Sequence, residues 1–209
     1  MHICLLGATG RVGRRLLAQA LAEGHRVTAL VRSPDQVGLA DERQLRLLQG
    51  NACLEPDLMT ALPGTDAVIS CLGTDGGTVL TETTPLLIGA MQRLGIRRIV
   101  TIGTAGILNS SSHSGLLRYE SPESRRLSTR AAEEHRRAWE MLAAAGPALA
   151  WTVVCPTYLP EGEQTGRYRV RRDMLPEGGT SISTGDTADF ALKQLADDSY
   201  MRCRVGLAY

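Results

Sequence analysis

A short apolar run, Ile3-Cys4-Leu5-Leu6, leads at once into Gly7-Ala8-Thr9-Gly10-Arg11-Val12-Gly13 and then into apolar residues at Leu16, Leu17, Ala20 and Leu21. Strand, glycine turn and helix in this order constrain the fold more than anything else in the chain. They present free backbone N–H groups and the positive end of a helix dipole to an anion, the arrangement that receives a dinucleotide pyrophosphate. The spacing is GxxGxxG rather than GxGxxG, and each glycine has its own task. Gly7 permits the tight turn, Gly10 lets a phosphate approach the backbone, and Gly13 lets helix and strand pack closely. Such a pattern gains its weight from the strand before it and the helix after it.

The next apolar run, Val27 to Val31, ends in Arg32-Ser33, about 20 residues beyond the glycines, where the ribose of a bound dinucleotide is read. No acid stands there. An Asp or Glu would accept hydrogen bonds from the ribose hydroxyls and repel a 2′-phosphate, whereas Arg32 can fork onto that phosphate and stack on adenine. NADP(H) is therefore expected over NAD(H), against the plainer reading of Arg32 as a solvated strand-end charge.

With 209 residues, 43% of them hydrophobic, the chain can bury one large core and fits a single α/β domain spanning residues 1–209. A net charge of +1 argues against a dedicated nucleic-acid or membrane partner, and the local clusters at Arg125-Arg126, Arg136-Arg137 and Arg167 to Arg172 read as solvated faces. All but one of the 23 basic residues are arginine, the exception being Lys193, so lysine-based catalysis is almost removed from consideration. Five dispersed cysteines without a CxxC or Cys/His pairing suggest reduced core residues rather than zinc ligands or disulfides. With no signal peptide expected, this fits a cytoplasmic protein. No apolar stretch approaches the roughly 20 residues that cross a bilayer.

Apolar runs alternate with helical patterns almost throughout, which predicts a doubly wound parallel sheet with helices on both faces. The expected strands are Ile3 to Leu6, Val27 to Val31, Leu45 to Leu48, Ala67 to Cys71, Ile99 to Ile102 and Trp151 to Cys155, with a seventh at Cys203 to Leu207. Glu55-Pro56-Asp57 opens a short helix, since proline suits the first helical position and acids favour the positive dipole end. Further helices are expected over Thr83 to Leu94 and Thr129 to Ala145, the latter stopped by Gly146-Pro147. Two stretches, Gly106 to Ser128 and Glu161 to Gly179, read as irregular and lie on the carboxyl side of the sheet, where ligands bind. The first is read as a substrate-side flap or as a plain surface insertion.

The strand ends supply the remaining candidates. Asn51 and Ala52 follow the third strand, and Leu72, Gly73 and Thr74 form a small-residue corner after the fourth, where ribose and diphosphate could lie against backbone. Gly103 and Thr104 end the fifth, placing a hydroxyl where a nicotinamide or substrate carbonyl is expected, although threonine also suits strand ends by propensity alone. Pro156, Thr157 and Tyr158 end the sixth. Backbone amides there could hold a carboxamide, and Tyr158 either covers the substrate, donates a proton or simply packs its ring. His135 shares a helix face with Ala131, Ala138, Trp139 and Leu142; it is a catalytic candidate or a partly buried structural histidine.

Alcohol and ketone reduction in short-chain dehydrogenases ordinarily uses Tyr-x-x-x-Lys. Here Tyr119 is followed four residues later by Glu123, Tyr158 by Gly162 and Tyr168 by Arg172. The chemistry left open is hydride delivery to an acceptor whose product anion is delocalised, such as a flavin or a conjugated tetrapyrrole, with the protein contributing positioning.

These residues resemble the atypical short-chain dehydrogenases with NAD(P)H-binding domains, and within them the biliverdin-IXβ reductase/flavin reductase group. The resemblance rests on GATGRVG, VTALVR ending at Arg32, DAVISCLGT, the Ile-Arg-Arg-Ile-Val run, the helix around His135 and TGRY at Thr165 to Tyr168, in that order. It implies a Rossmann-like fold, with Thr9, Arg11, Val12, Arg32, Leu72, Gly73, Thr74 and Thr104 lining NADP(H) and backbone near Pro156 to Tyr158 holding nicotinamide. It also implies a shallow acceptor site for flavins, bilins and dyes. Tyr158 departs from the group's histidine, and the Gly106 to Ser128 stretch looks longer than the group's. The expected activity is NADPH-dependent hydride transfer to free flavin, as substrate rather than prosthetic group, or to a bilin or quinone. The alternatives are a non-catalytic redox sensor of the NmrA-like kind and, less well matched for want of a lysine, an isomerase or epimerase with tightly held cofactor.

Overall fold

The computed structural model describes residues 1–38, 43–124 and 128–209. The Arg125-Arg126 pair, and with it part of the 106–128 stretch, lies outside them. The run Ile3 to Leu6 is apolar at every position because both faces are covered: Ile3 and Leu5 point into one core, Cys4 and Leu6 into the other. That continuous burial is what a parallel sheet demands.

The strands are β1 (His2–Leu6), β2 (Arg26–Val31), β3 (Leu45–Gln49), β4 (Ala67–Ser70), β5 (Arg98–Ile102), β6 (Ala150–Pro156), β7 (Arg169–Arg172) and β8 (Cys203–Ala208). They form one sheet in the order β3-β2-β1-β4-β5-β6-β8-β7, in which every pair is parallel except β7 with β8. The chain reverses direction across the sheet between β1 and β4, so the crevice beyond their carboxyl ends is the switch point where such sheets bind ligands.

Helices α1 (Arg11–Ala22) and α5 (Thr184–Lys193) cover one face, burying Leu16, Leu17, Ala188 and Phe190 with β1 and β8. Helices α2 (Glu55–Ala61), α3 (Val79–Arg93) and α4 (Arg130–Ala144) cover the other through Leu58, Leu87, Met91 and Leu142. The fold class is thus the doubly wound α/β sheet that the alternation predicts.

Two elements depart from that reading. The Glu161 to Gly179 stretch contains β7, an antiparallel edge strand whose Arg-Val-Arg-Arg sequence reads as a charge run. Helix α5 follows it, rich in Thr and Asp yet buried along nearly its whole length. Its polar groups are answered from outside the helix. The buried Asp186 carboxylate accepts Thr165 N–H at 2.7 Å, Thr165 Oγ1–H at 2.7 Å, Gly166 N–H at 2.8 Å and Tyr209 O–H at 2.7 Å. Burial disfavours the charged form, and these hydrogen bonds outweigh it, so the carboxyl is held below its ordinary range. Asp189 accepts from Gln164, Tyr168 and Lys193.

Helix α3 also starts earlier than its sequence pattern, at Val79 rather than Thr83. The buried Glu134 carboxylate on α4 accepts the Thr81 N–H at 2.9 Å and its hydroxyl at 2.8 Å, supplying from another helix the partner that a first turn lacks.

Candidate active site

Glycine geometry shapes the first wall. Gly7 has φ +77°, and a Cβ there would stand 2.6 Å from the Cys71 carbonyl oxygen of the neighbouring strand end. A Cβ on Gly13 would run into the Gly7 carbonyl. Gly10 is the N-cap of α1, whose first turn carries no acid and whose cap makes no side-chain hydrogen bond. The N-terminal amides of a 12-residue helix thus face the crevice with their dipole unopposed. A phosphate fits this cradle because there is neither a Cβ nor a carboxylate in its way.

Beyond the carboxyl ends of β1, β2 and β4 lies a cleft of about 380 Å³. It brings together Gly7, Thr9, Gly10, Arg32, Asn51, Ala52, Leu72 and Gly73 from four separate segments of the chain. The floor under Asn51 is fixed by α2: Asp57 accepts the Asn51 N–H at 2.7 Å, and Asn51 Oδ1 accepts the Cys53 N–H at 3.0 Å. Cys71 also lines the cleft, and burial pushes its thiol up to about 12, which favours the protonated form.

Asp75, Cys53, Val79 and Glu82 line the same cleft and escape the sequence reading. The usual signal is an acid at the end of the second strand, whereas Asp75 arrives from the loop after β4. The tight turn suggested by Asp75-Gly76 is the one local cue to it.

Other candidates lie elsewhere. Arg11 donates to the Leu159 carbonyl at 2.8 Å, bridging the glycine turn to the segment after β6. Val12 and Gly13 are buried in helix-to-sheet packing. Thr74 begins a turn through its carbonyl, which accepts the Gly77 N–H at 2.7 Å. Gly103 packs against Val153 and Cys155. Thr104 is buried, and its Oγ1 accepts the Gly106 N–H at 3.4 Å, capping the short turn that follows β5. His135 lines a separate cavity of about 20 Å³ between α3, α4 and the sheet, with Gly103, Leu72 and Trp139. The main chain of Tyr158 is fixed by donation from Ile182 to its carbonyl, while the residue is 72% exposed just beyond the end of β6. Pro156 closes β6 and Thr157 is half-buried beside it.

The loop after β5 is tied down over its described residues. Glu123 accepts hydrogen bonds from Ser110, Ser111 and Ser112 and pairs with Arg118 at 2.6 Å. Burial raises its pKa, but these hydrogen bonds prevail and bring it down to about 2. Arg204 on β8 stacks over the Trp139 ring at 3.9 Å and donates to the Ile107 carbonyl and to Asn109.

The NAD(P)H-binding family profile matches residues 7–198. Over 206 residues, 93% of the chain and 92% of the relative, the sequence is 27% identical to the uncharacterized protein YwnB of Bacillus subtilis. It is 35% identical over 106 residues to the photosystem II assembly factor Ycf39 of Synechocystis, a match covering 48% of this chain and 32% of that protein. The chain thus spans about a third of Ycf39's length.

Among solved structures, a candidate exported protein of Burkholderia pseudomallei superposes with a TM-score of 0.86 at 27% identity, covering both chains completely. A candidate NADH-flavin reductase of Streptococcus pneumoniae gives 0.83 at 23%, over 100% of this chain and 99% of that one. ChuY, an anaerobilin reductase of Escherichia coli O157:H7, gives 0.79 at 23%, over 100% and 97%. At that identity the last two show the shared fold. No helix among the described residues is long and apolar enough to cross a membrane. Glycine cradle, switch-point cleft and profile agree, and the chain belongs to the NAD(P)H-binding family.

Proposed function

We propose that this protein is an NADPH-dependent reductase that delivers hydride to free flavin or to another planar conjugated acceptor such as a bilin or quinone. The observation that carries the reading is the cleft running from Arg32 past the glycine turn to Gly73, with the exposed ring of Tyr158 standing at the open end of β6. Bound nicotinamide would supply the hydride. The chain's own residues bind and orient. The amides at the start of α1 hold the pyrophosphate, Arg32 takes the 2′-phosphate, and Asn51, Ala52, Leu72, Gly73 and Thr74 give backbone walls to the adenosine and ribose. Gly103 and Thr104 close the floor, the backbone of Pro156 to Tyr158 holds the carboxamide, and the Tyr158 ring offers a flat surface on which a planar acceptor can stack. Solvent supplies the proton, since no tyrosine in the sequence has a lysine four residues on. In this reading Arg11 and Val12 shape the glycine turn, Gly13 packs it, and His135 supports the floor from beneath. The reading covers the whole chain as one domain acting in the cytoplasm on a small molecule, with no nucleic-acid or membrane partner.

Positioning of two flat reactants can account for the rate without an enzymatic acid. The candidate flavin reductase and the anaerobilin reductase among the structural neighbours support that class of acceptor. A second reading, an NADP(H)-binding sensor without turnover, draws on the likeness of 106 residues of the chain to an assembly factor. Adding FMN, FAD and biliverdin in turn to the NADPH complex, while following nicotinamide absorbance, separates the two. Oxidation above the protein-free rate with at least one acceptor is expected. Tight NADPH binding with no oxidation by any of them overturns the reductase reading in favour of the sensor.

A further inference from the structure

The adenosine end of the cleft carries a charge pair rather than a lone arginine. Arg32 Nη2 stands 3.4 Å from Asp75 Oδ2, and their side chains are 77% and 64% exposed. Both residues line the cleft, and so does a second acid, Glu82, held by Thr78. Arg11, the cation nearest the glycine turn in sequence, is engaged by the Leu159 carbonyl. Among the described residues Arg32 is the only basic side chain lining the cleft, and Asp75 already occupies one edge of its guanidinium.

We propose that Asp75 sets the ratio of NADPH to NADH affinity by competing with the 2′-phosphate for Arg32. This rests on the assignment of Arg32 to that phosphate. With NADPH, the phosphate must displace Asp75 from Arg32. With NADH nothing displaces it, and the same carboxylate is an acceptor for the ribose hydroxyls. The pair thus acts as a two-way reader, and its phosphate preference is milder than an unpaired arginine would give. Asp75 sits at φ +47° in the Thr74–Gly77 turn, a conformation that Asn tolerates and most residues resist. Asp75→Asn therefore removes the charge and keeps the turn.

The test is a four-protein cycle of the parent, Asp75→Asn, Arg32→Ala and the double variant, with Kd for NADPH and NADH measured by nicotinamide fluorescence at low and high salt. An exposed ion pair contributes about 0.2–1 kcal/mol, so Asp75→Asn should tighten NADPH about 1.5- to 5-fold at low salt, and less at high salt. NADH should bind no more tightly. In the Arg32→Ala background the gain should vanish. Unchanged NADPH affinity in Asp75→Asn, or an equal gain with and without Arg32, overturns the competition. Separately, equal losses of NADPH and NADH in Arg32→Ala would defeat the phosphate assignment on which it rests. Both side chains are largely exposed, and thermal unfolding midpoints of all four proteins confirm that folding is not the variable read.

Discussion

The two sides of this sheet are built on opposite terms. On the β1–β4 side, the cleft is made by leaving things out: no Cβ at Gly7 or Gly13, no acid in the first turn of α1, and one exposed pair, Arg32 with Asp75. On the β6–β8 side several buried charged groups are answered from neighbouring segments. Asp186 takes four hydrogen bonds, Asp189 three, and Arg98 is buried against the carbonyls of Ala150 and Gln194 and the Thr152 hydroxyl. A binding surface needs space and unspent donors, whereas a scaffold needs its buried polar groups satisfied. Added atoms on the first side should therefore cost binding, and atoms lost from the second should cost stability.

The strongest way to break this contrast is to add atoms at the glycine turn. Gly13→Val places side-chain carbon against the Gly7 carbonyl. Overpacking of this kind costs about 1–3 kcal/mol or more, and displacing the turn should abolish measurable NADPH binding even where circular dichroism shows a folded chain. Parent-like affinity would mean that the turn is not the phosphate cradle.

Removing atoms from the other side should act on stability instead. Asp186→Ala removes a buried acceptor and leaves partly buried donors at Thr165, Gly166 and Tyr209 without a partner. At about 1–3 kcal/mol for a buried unsatisfied group, we expect a loss of about 3 kcal/mol, or roughly 6–12 °C in Tm. NADPH affinity well below the midpoint should stay within about twofold, and a large affinity loss in protein still folded would show that the two sides are coupled.

A weaker effect sharpens the same point through pH. The folded-state pKa of Glu123 lies at about 2, below the ordinary glutamate value near 4.3. A depressed carboxyl contributes stability that is fully present above its unfolded pKa and is lost as pH falls through the folded value. Stability should thus decline between about pH 4.5 and pH 2, and Glu123→Gln should flatten that slope in denaturant melts. An unchanged slope would remove Glu123 from the stabilising groups.

The smallest expected effect is at the open side. Tyr158→Phe keeps the exposed ring and removes its hydroxyl, and kcat with flavin should change less than about twofold if solvent delivers the proton. A fall of about tenfold would assign proton donation to Tyr158.

The same contrast explains what was readable in the sequence. Gly7, Gly10, Arg32, Leu72 and Gly73 were legible because a crevice built on glycine spacing and strand ends leaves a local pattern. Helix α5 was not, because its Thr184, Asp186, Thr187 and Asp189 look solvent-facing and are satisfied by partners such as Thr165 and Gln164, out of reach of any local window. One cue was there: the Ser183 hydroxyl accepts the Asp186 N–H at 3.0 Å, a helix start written as Ser-x-x-Asp. Strand β7 hid behind its arginines, which suit an exposed sheet edge. The TGRY landmark at Thr165 to Tyr168 proves to be the anchor of α5 through Asp186 and Asp189.

The sheet order also sets a timetable. Strands β1 to β6 pair among themselves, and β8, the last strand in the chain, inserts beside β6 and only then gives β7 a neighbour. During synthesis, which proceeds from the amino end, the cofactor cleft has all its walls long before Arg204 emerges to pin the loop after β5. Every residue lining the cleft is thus made before the strand that ties down the loop after β5.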